Sequence, residues 1–139
     1  MDKILTINCD GGSRGNPGPA ASSFVATLGG KEIFSSGKYL GLTTNNVAEY
    51  SAVLMAMEWL KENQEIYKDH VVVFILDSQL VAMQLTGVYK IKNENLKTLA
   101  DKIKTIQKEL GFTISFKHVL REKNVTADFL VNKTLDENF

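Results

Sequence analysis

Lys3-Ile-Leu-Thr-Ile-Asn-Cys9 alternates apolar and polar residues, whereas Val71-Val-Val-Phe-Ile-Leu76 is apolar throughout. The first pattern predicts a strand with one buried face. The second predicts a strand covered on both faces beside parallel neighbours. Between them, Phe24–Leu28 and Glu32–Leu40 read as two more strands, joined at Gly29-Gly30, a two-residue hairpin signal. The first three strands therefore form an antiparallel meander. Asp10-Gly-Gly-Ser-Arg-Gly-Asn-Pro-Gly-Pro19 reads as a turn-rich loop, because glycine and proline interrupt regular structure.

Helical signals fill the remainder. Thr44 or Asn45 suits an N-cap for a helix over Val47–Glu62, whose broad apolar surface predicts packing along a sheet. Ser78–Leu85 reads as a short helix ended by Gly87. Leu96, Leu99, Ile103, Ile106 and Leu110 step along one helical stripe that Gly111 stops. Thr113–Val119 is a fifth strand with Ile114, Phe116 and His118 on one face, and Asn124 can cap a last helix through about residue 136. The expected architecture is α/β: a mixed five-stranded sheet, three antiparallel strands plus two parallel ones reached by right-handed crossovers, flanked by helices.

A length of 139 residues fits one domain, 1–139, with a core that needs no staples. Charged residues at 23% and hydrophobic residues at 44% exclude disordered and low-complexity classes. The single cysteine, Cys9, excludes an internal disulfide and a Cys-rich zinc site. No apolar run approaches the ~20 residues that span a bilayer, and the N-terminus shows no signal peptide. The expectation is a soluble, cytoplasmic monomer without membrane contact. Net charge is zero, but residues 87–123 hold nine basic and four acidic groups, a local excess that suits phosphate or a solvated helix face.

Four acidic residues fall at element junctions: Asp10 and Asp77 end apolar strand runs, while Glu49 and Asp128 sit in the first turns of helices. Strand ends and helix starts can converge on one sheet edge, where such folds bind ligands. Each also has a local explanation. Asp77 can cap a helix, Glu49 and Asp128 can complement helix dipoles, and Asp10-Gly11 can make a turn.

Four blocks occur in order: Asp10 to Ala20, Thr44-Asn-Asn-Val-Ala-Glu49, Asp77-Ser-Gln79, and Arg121-Glu-Lys-Asn-Val-Thr-Ala-Asp128. Together they resemble ribonuclease H type 1 over essentially the whole chain. The first two blocks are long and unusual; the last two persuade only in sequence with them. The resemblance implies a metal-dependent endonuclease that hydrolyses the RNA strand of RNA–DNA hybrids, with Asp10, Glu49, Asp77 and Asp128 on the metal-binding, catalytic positions. Two Mg²⁺ ions, with Mn²⁺ as a substitute, suit such a site because hard cations prefer oxygen ligands. Asn16, Asn45 and Gln79 match hybrid-contacting positions, and amide side chains suit reading a 2′-hydroxyl. Thr44 matches part of a phosphate pocket, Arg14 is a further phosphate candidate, and Asn46 occupies a motif position. Double-stranded RNA is a possible second substrate.

Two departures from better-known members stand out. The interval from Asp77 to Thr113 holds scattered lysines but no separate basic protrusion, so the chain matches a shorter branch. The Leu120–Asn124 loop contains no histidine; His118 precedes it and reads as structural, leaving Arg121 as the auxiliary charged candidate. His70 carries no functional signal. Competing readings are a non-catalytic module binding hybrid or double-stranded RNA on the same fold, and a transposase- or resolvase-type nuclease. Concentrated negative charge ill suits the first. The Asp10–Pro19 block does not fit the second.

Overall fold

The computed structural model describes residues 3–138. Five strands, β1 (Lys3–Ser13), β2 (Gly18–Leu28), β3 (Lys31–Thr43), β4 (His70–Leu76) and β5 (Thr113–His118), form one sheet in the order β3-β2-β1-β4-β5. β1 pairs antiparallel with β2 and β2 with β3, while β4 runs parallel to both β1 and β5. The expected mixed sheet is therefore present. Gly29 and Gly30 turn the β2–β3 hairpin with φ of 60° and 79°, backbone that side-chain-bearing residues rarely adopt.

The helices are α1 (Asn45–Glu62), α2 (Gln64–Tyr67), α3 (Gln79–Leu85), α4 (Glu94–Leu110) and α5 (Val125–Glu137), with a 3₁₀ turn at Arg121–Lys123. Thr44, rather than Asn45, caps α1: its hydroxyl accepts from the Val47 N–H at 3.2 Å. α1 buries Ala48, Ala52 and Ala56 alongside Tyr50, Val53, Met57 and Leu60 against Leu5, Ile7, Phe24, Val72 and Phe74. Each fully buried Leu- or Met-sized side chain stabilises by about 1.5–3 kcal/mol. α4 covers α1 with Leu96, Ala100 and Ile103, and Gly111 closes it in the left-handed conformation. α5 crosses the opposite sheet face, where Ala21, Val131 and Leu135 form a smaller core and the Ser23 hydroxyl donates to the Ala127 carbonyl.

Three local expectations need correction. Asp10–Ser13 and Gly18–Pro19 are strand, not loop, and only residues 14–17 turn. At Gly11 and Gly18 neighbouring backbone fills the space a Cβ would take. β4 is not buried on both faces: His70, Val72, Phe74 and Leu76 are buried, while Val71, Val73 and Ile75 are half-buried beyond the reach of α5. Asn124 precedes α5 but its side chain makes no capping bond. Between Asp77 and Thr113 there is one short and one long helix and no protrusion.

Candidate active site

Register puts the central carboxylates together. β1 and β4 run side by side with Cys9 opposite Leu76, so the next residues, Asp10 and Asp77, emerge at the same sheet edge. Gly11 brings α1 to them: a Cβ on Gly11 would overlap the Ala48 carbonyl group and the Glu49 nitrogen. The Ser22 hydroxyl, one strand over, donates to the same Ala48 carbonyl. Glu49 consequently lies in a small cleft with Asp10 and Asp77. Asp10 also lines a neighbouring cavity of about 230 Å³ with Asp128, Arg121, Arg14 and Asn45. The four acidic positions thus meet around Asp10, with Arg121 beside them.

The electrostatics follow from that crowding. Asp10 is only 4% exposed, and its Oδ1 is buried without a hydrogen-bond partner. Burial first, then the Asp77 charge, lift its carboxyl to about 8; Asp128 adds to the rise, while the Gly11 N–H and Arg121 oppose it. Burial also raises Glu49 to about 7, with Asp77 contributing and a hydrogen bond from Ser78 and the Arg121 charge opposing. Ser78 serves twice, since its oxygen accepts the Val81 N–H that opens α3. Carboxyls this reluctant to ionise, one with an orphaned oxygen, are a chemical fit for a divalent cation with hard-oxygen preference. Among the described residues no three His, Cys, Asp or Glu side chains form a ready-made cage. The fit is therefore to an ion that keeps several waters, as Mg²⁺ does.

The amide candidates form a second group. Asn45 Oδ1 accepts from both the Ser13 N–H (2.8 Å) and the Ser13 hydroxyl (3.0 Å). Asn16 Oδ1 accepts from the Asn45 N–H at 3.0 Å. Both side chains have their oxygens engaged, which leaves the two NH₂ groups as the donors available to a ligand. Gln79 is exposed on the first turn of α3, beside Asp77. Arg14 reaches α5, pairing with Asp136 at 2.7 Å. His118 ends β5 half-buried opposite Leu76, and His70 starts β4 at the other end of the sheet, edge-on to Tyr67.

Sequence reasoning missed the buried supports. Tyr50, next to Glu49, donates to Gln84 Oε1 at 2.6 Å, and Gln84 Nε2 donates to the Lys90 carbonyl at 3.1 Å, anchoring the lysine-bearing linker between α3 and α4. Asn124 and Asn8 form a similar pair beneath Asp77. Their signal is burial of a polar side chain, which appears only after folding.

A reverse transcriptase-like family model matches residues 8–134, and ribonuclease HI of Halobacterium salinarum is 37% identical over 130 residues, 92% of this chain. The chain belongs to the ribonuclease H type 1 family. It spans 62% of the length of that halobacterial ribonuclease HI and 35% of a bifunctional Mycobacterium tuberculosis protein that is 32% identical. The solved ribonuclease H1 LC11, isolated from compost by a metagenomic approach, superimposes with a TM-score of 0.93 at 43% identity, covering 99% of each chain. LC11 has also been solved in complex with an RNA/DNA hybrid; that structure gives a TM-score of 0.91 at 42% identity, covering 96% of this chain and 98% of its own.

Proposed function

We propose that this chain is a metal-dependent endonuclease that hydrolyses the RNA strand of RNA–DNA hybrids. The observation that carries the reading is the Asp10 carboxyl, buried with an unpartnered oxygen and surrounded by Glu49, Asp77 and Asp128. Its relative LC11 binds a hybrid, which supports the same substrate class here.

Asp10, Glu49, Asp77 and Asp128 would hold two Mg²⁺ ions, or Mn²⁺ in their place, which supply Lewis acidity to an attacking water and to the leaving 3′ oxygen. Water adds to phosphorus in line with the P–O3′ bond, which breaks to leave 5′-phosphate and 3′-hydroxyl ends. Asn16 and Asn45, with their oxygens already engaged, present N–H donors to a minor-groove acceptor such as a 2′-hydroxyl oxygen. Gln79 adds a third amide beside Asp77. Arg121 offsets some of the carboxylate charge that would repel a phosphate. Thr44 and Arg14 would take the backbone phosphates, with Lys90 and Lys92, exposed on the anchored linker, as further basic groups.

Labelled hybrid, duplex DNA and duplex RNA, each incubated with Mg²⁺ or with EDTA, test the reading. Cleavage of the RNA strand of the hybrid with Mg²⁺ alone is the expected result. Tight binding of hybrid with no cleavage would instead indicate a binding module, and cutting of all-DNA duplex a nuclease of another kind.

A further inference from the structure

Asn124 is fully buried, yet a sequence reading gives it only a capping role that its side chain does not perform. Its amide has other partners. Oδ1 accepts from Asn8 Nδ2 at 2.9 Å, and Nδ2 donates to the Cys9 carbonyl at 2.8 Å and to Asp77 Oδ2 at 3.2 Å. Both amide hydrogens are thereby used, and the oxygen receives a donor of its own. The reverse orientation would press Oδ1 against two acceptor oxygens and set two NH₂ groups face to face. The amide therefore has one stable orientation, and Asn8 enforces it. Burial in a low-dielectric setting makes the loss of any one of these bonds expensive.

The amide and its partners link three of the chain segments that build the site. Cys9 immediately precedes Asp10 in β1, Asp77 follows β4, and Asn124 itself starts the helix that carries Asp128. A donor on Asp77 Oδ2 fixes the plane of that carboxylate and leaves Oδ1 to meet a cation. We propose that Asn124, oriented by Asn8, is the positioning residue that holds Asp77, the end of β1 and the start of α5 in register for cation binding. The inference rests on the nuclease reading above, and deepens it. Partners one step removed from metal ligands orient those ligands, and their loss characteristically weakens metal affinity or activity about 10–100-fold.

The test titrates Mg²⁺ alone into wild type, Asn124→Ala and Asn8→Ala by calorimetry without nucleic acid, at a temperature where melting curves show each protein folded. Hybrid cleavage follows at saturating Mg²⁺. Asn124→Ala should bind Mg²⁺ about tenfold or more weakly, with kcat reduced and KM for hybrid nearly unchanged because Asn16, Asn45 and Gln79 are untouched. Asn8→Ala should shift Mg²⁺ affinity in the same direction by less. A purely structural role would lower the melting temperature and leave Mg²⁺ affinity and kcat of the folded protein as in wild type; that outcome overturns the proposal. If Asn124→Ala does not fold, wild-type Mg²⁺ affinity in folded Asn8→Ala overturns it equally. Wild type that cleaves while the variants match it removes only this inference, whereas wild type that neither binds Mg²⁺ nor cleaves removes the nuclease reading with it.

Discussion

Asp10→Asn should abolish cleavage and, without divalent metal, make the protein more stable at alkaline pH. The Asp10 carboxyl sits at about 8 in the fold against 3.8 for an ordinary aspartate. Between those values the unfolded chain has lost a proton that the folded chain keeps. Stability therefore falls as pH rises through this window, by up to ~1.4 kcal/mol per pH unit, and levels off above about 8. Over roughly four pH units the limit is about 5–6 kcal/mol; even a third of it, about 2 kcal/mol, moves the melting temperature by roughly 5–10 °C. Asparagine keeps an oxygen for the Gly11 N–H and removes the charge facing Asp77 and Asp128. Thermal unfolding in EDTA should thus show Asp10→Asn above wild type by about 5 °C or more at pH 8.5, with the gap closing toward pH 4. Mg²⁺ at a hundred times its dissociation constant stabilises a binding protein by about 2.7 kcal/mol, so adding it should erase or reverse the gap. Asp10→Asn melting at or below wild type at pH 8.5 in EDTA would refute the crowding account, as would a gap independent of pH.

Three further outcomes follow from particular contacts. Gly11→Ala should destabilise by about 3 kcal/mol or more, because its methyl meets backbone of α1, whereas a methyl on Gly12 would make only ordinary van der Waals contact with the Val131 and Asn45 side chains, so Gly12→Ala should melt within a few degrees of wild type. Equal melting temperatures for the two would contradict the close approach of β1 and α1. Asn45→Ala should raise KM for hybrid more than it lowers kcat, and replacing the 2′-hydroxyls of the cut strand by hydrogen should stop cleavage; efficient cutting of the deoxy strand counts against recognition by Asn16, Asn45 and Gln79. Arg121→Ala should lower turnover with Mg²⁺ affinity nearly unchanged, while His118→Ala should act on thermal stability, since His118 packs at the end of β5. An inactive but stable His118→Ala beside a fully active Arg121→Ala would exchange the two roles.

Legibility in the sequence tracks how far each residue's partners lie along the chain. The cap of α1 is legible to within one residue, Thr44 or Asn45, because the partner of Thr44, Val47, is only three residues away. The stripe of α4 and the Gly29-Gly30 hairpin are equally local. Asn124 is misleading because the same residue type at a helix start has a local use, while its actual partners Asn8, Cys9 and Asp77 lie 116, 115 and 47 residues distant. The four carboxylates are an intermediate case. Single-residue logic leaves caps and dipoles open as explanations, and only the combination of blocks points to a site; the parallel register of β1 with β4 then brings Asp10 and Asp77 together. The glycines of Asp10-Gly11-Gly12 predict a break in the strand, yet the strand continues through them to Ser13. Gly11 lacks a side chain for a reason that sequence patterns do not encode: α1 occupies the space, and that contact carries Glu49 to within the cleft of Asp10 and Asp77. A bulkier residue would give a more regular strand sequence and would push Glu49 away, so the departure from strand propensity and the assembly of the carboxylates have one cause.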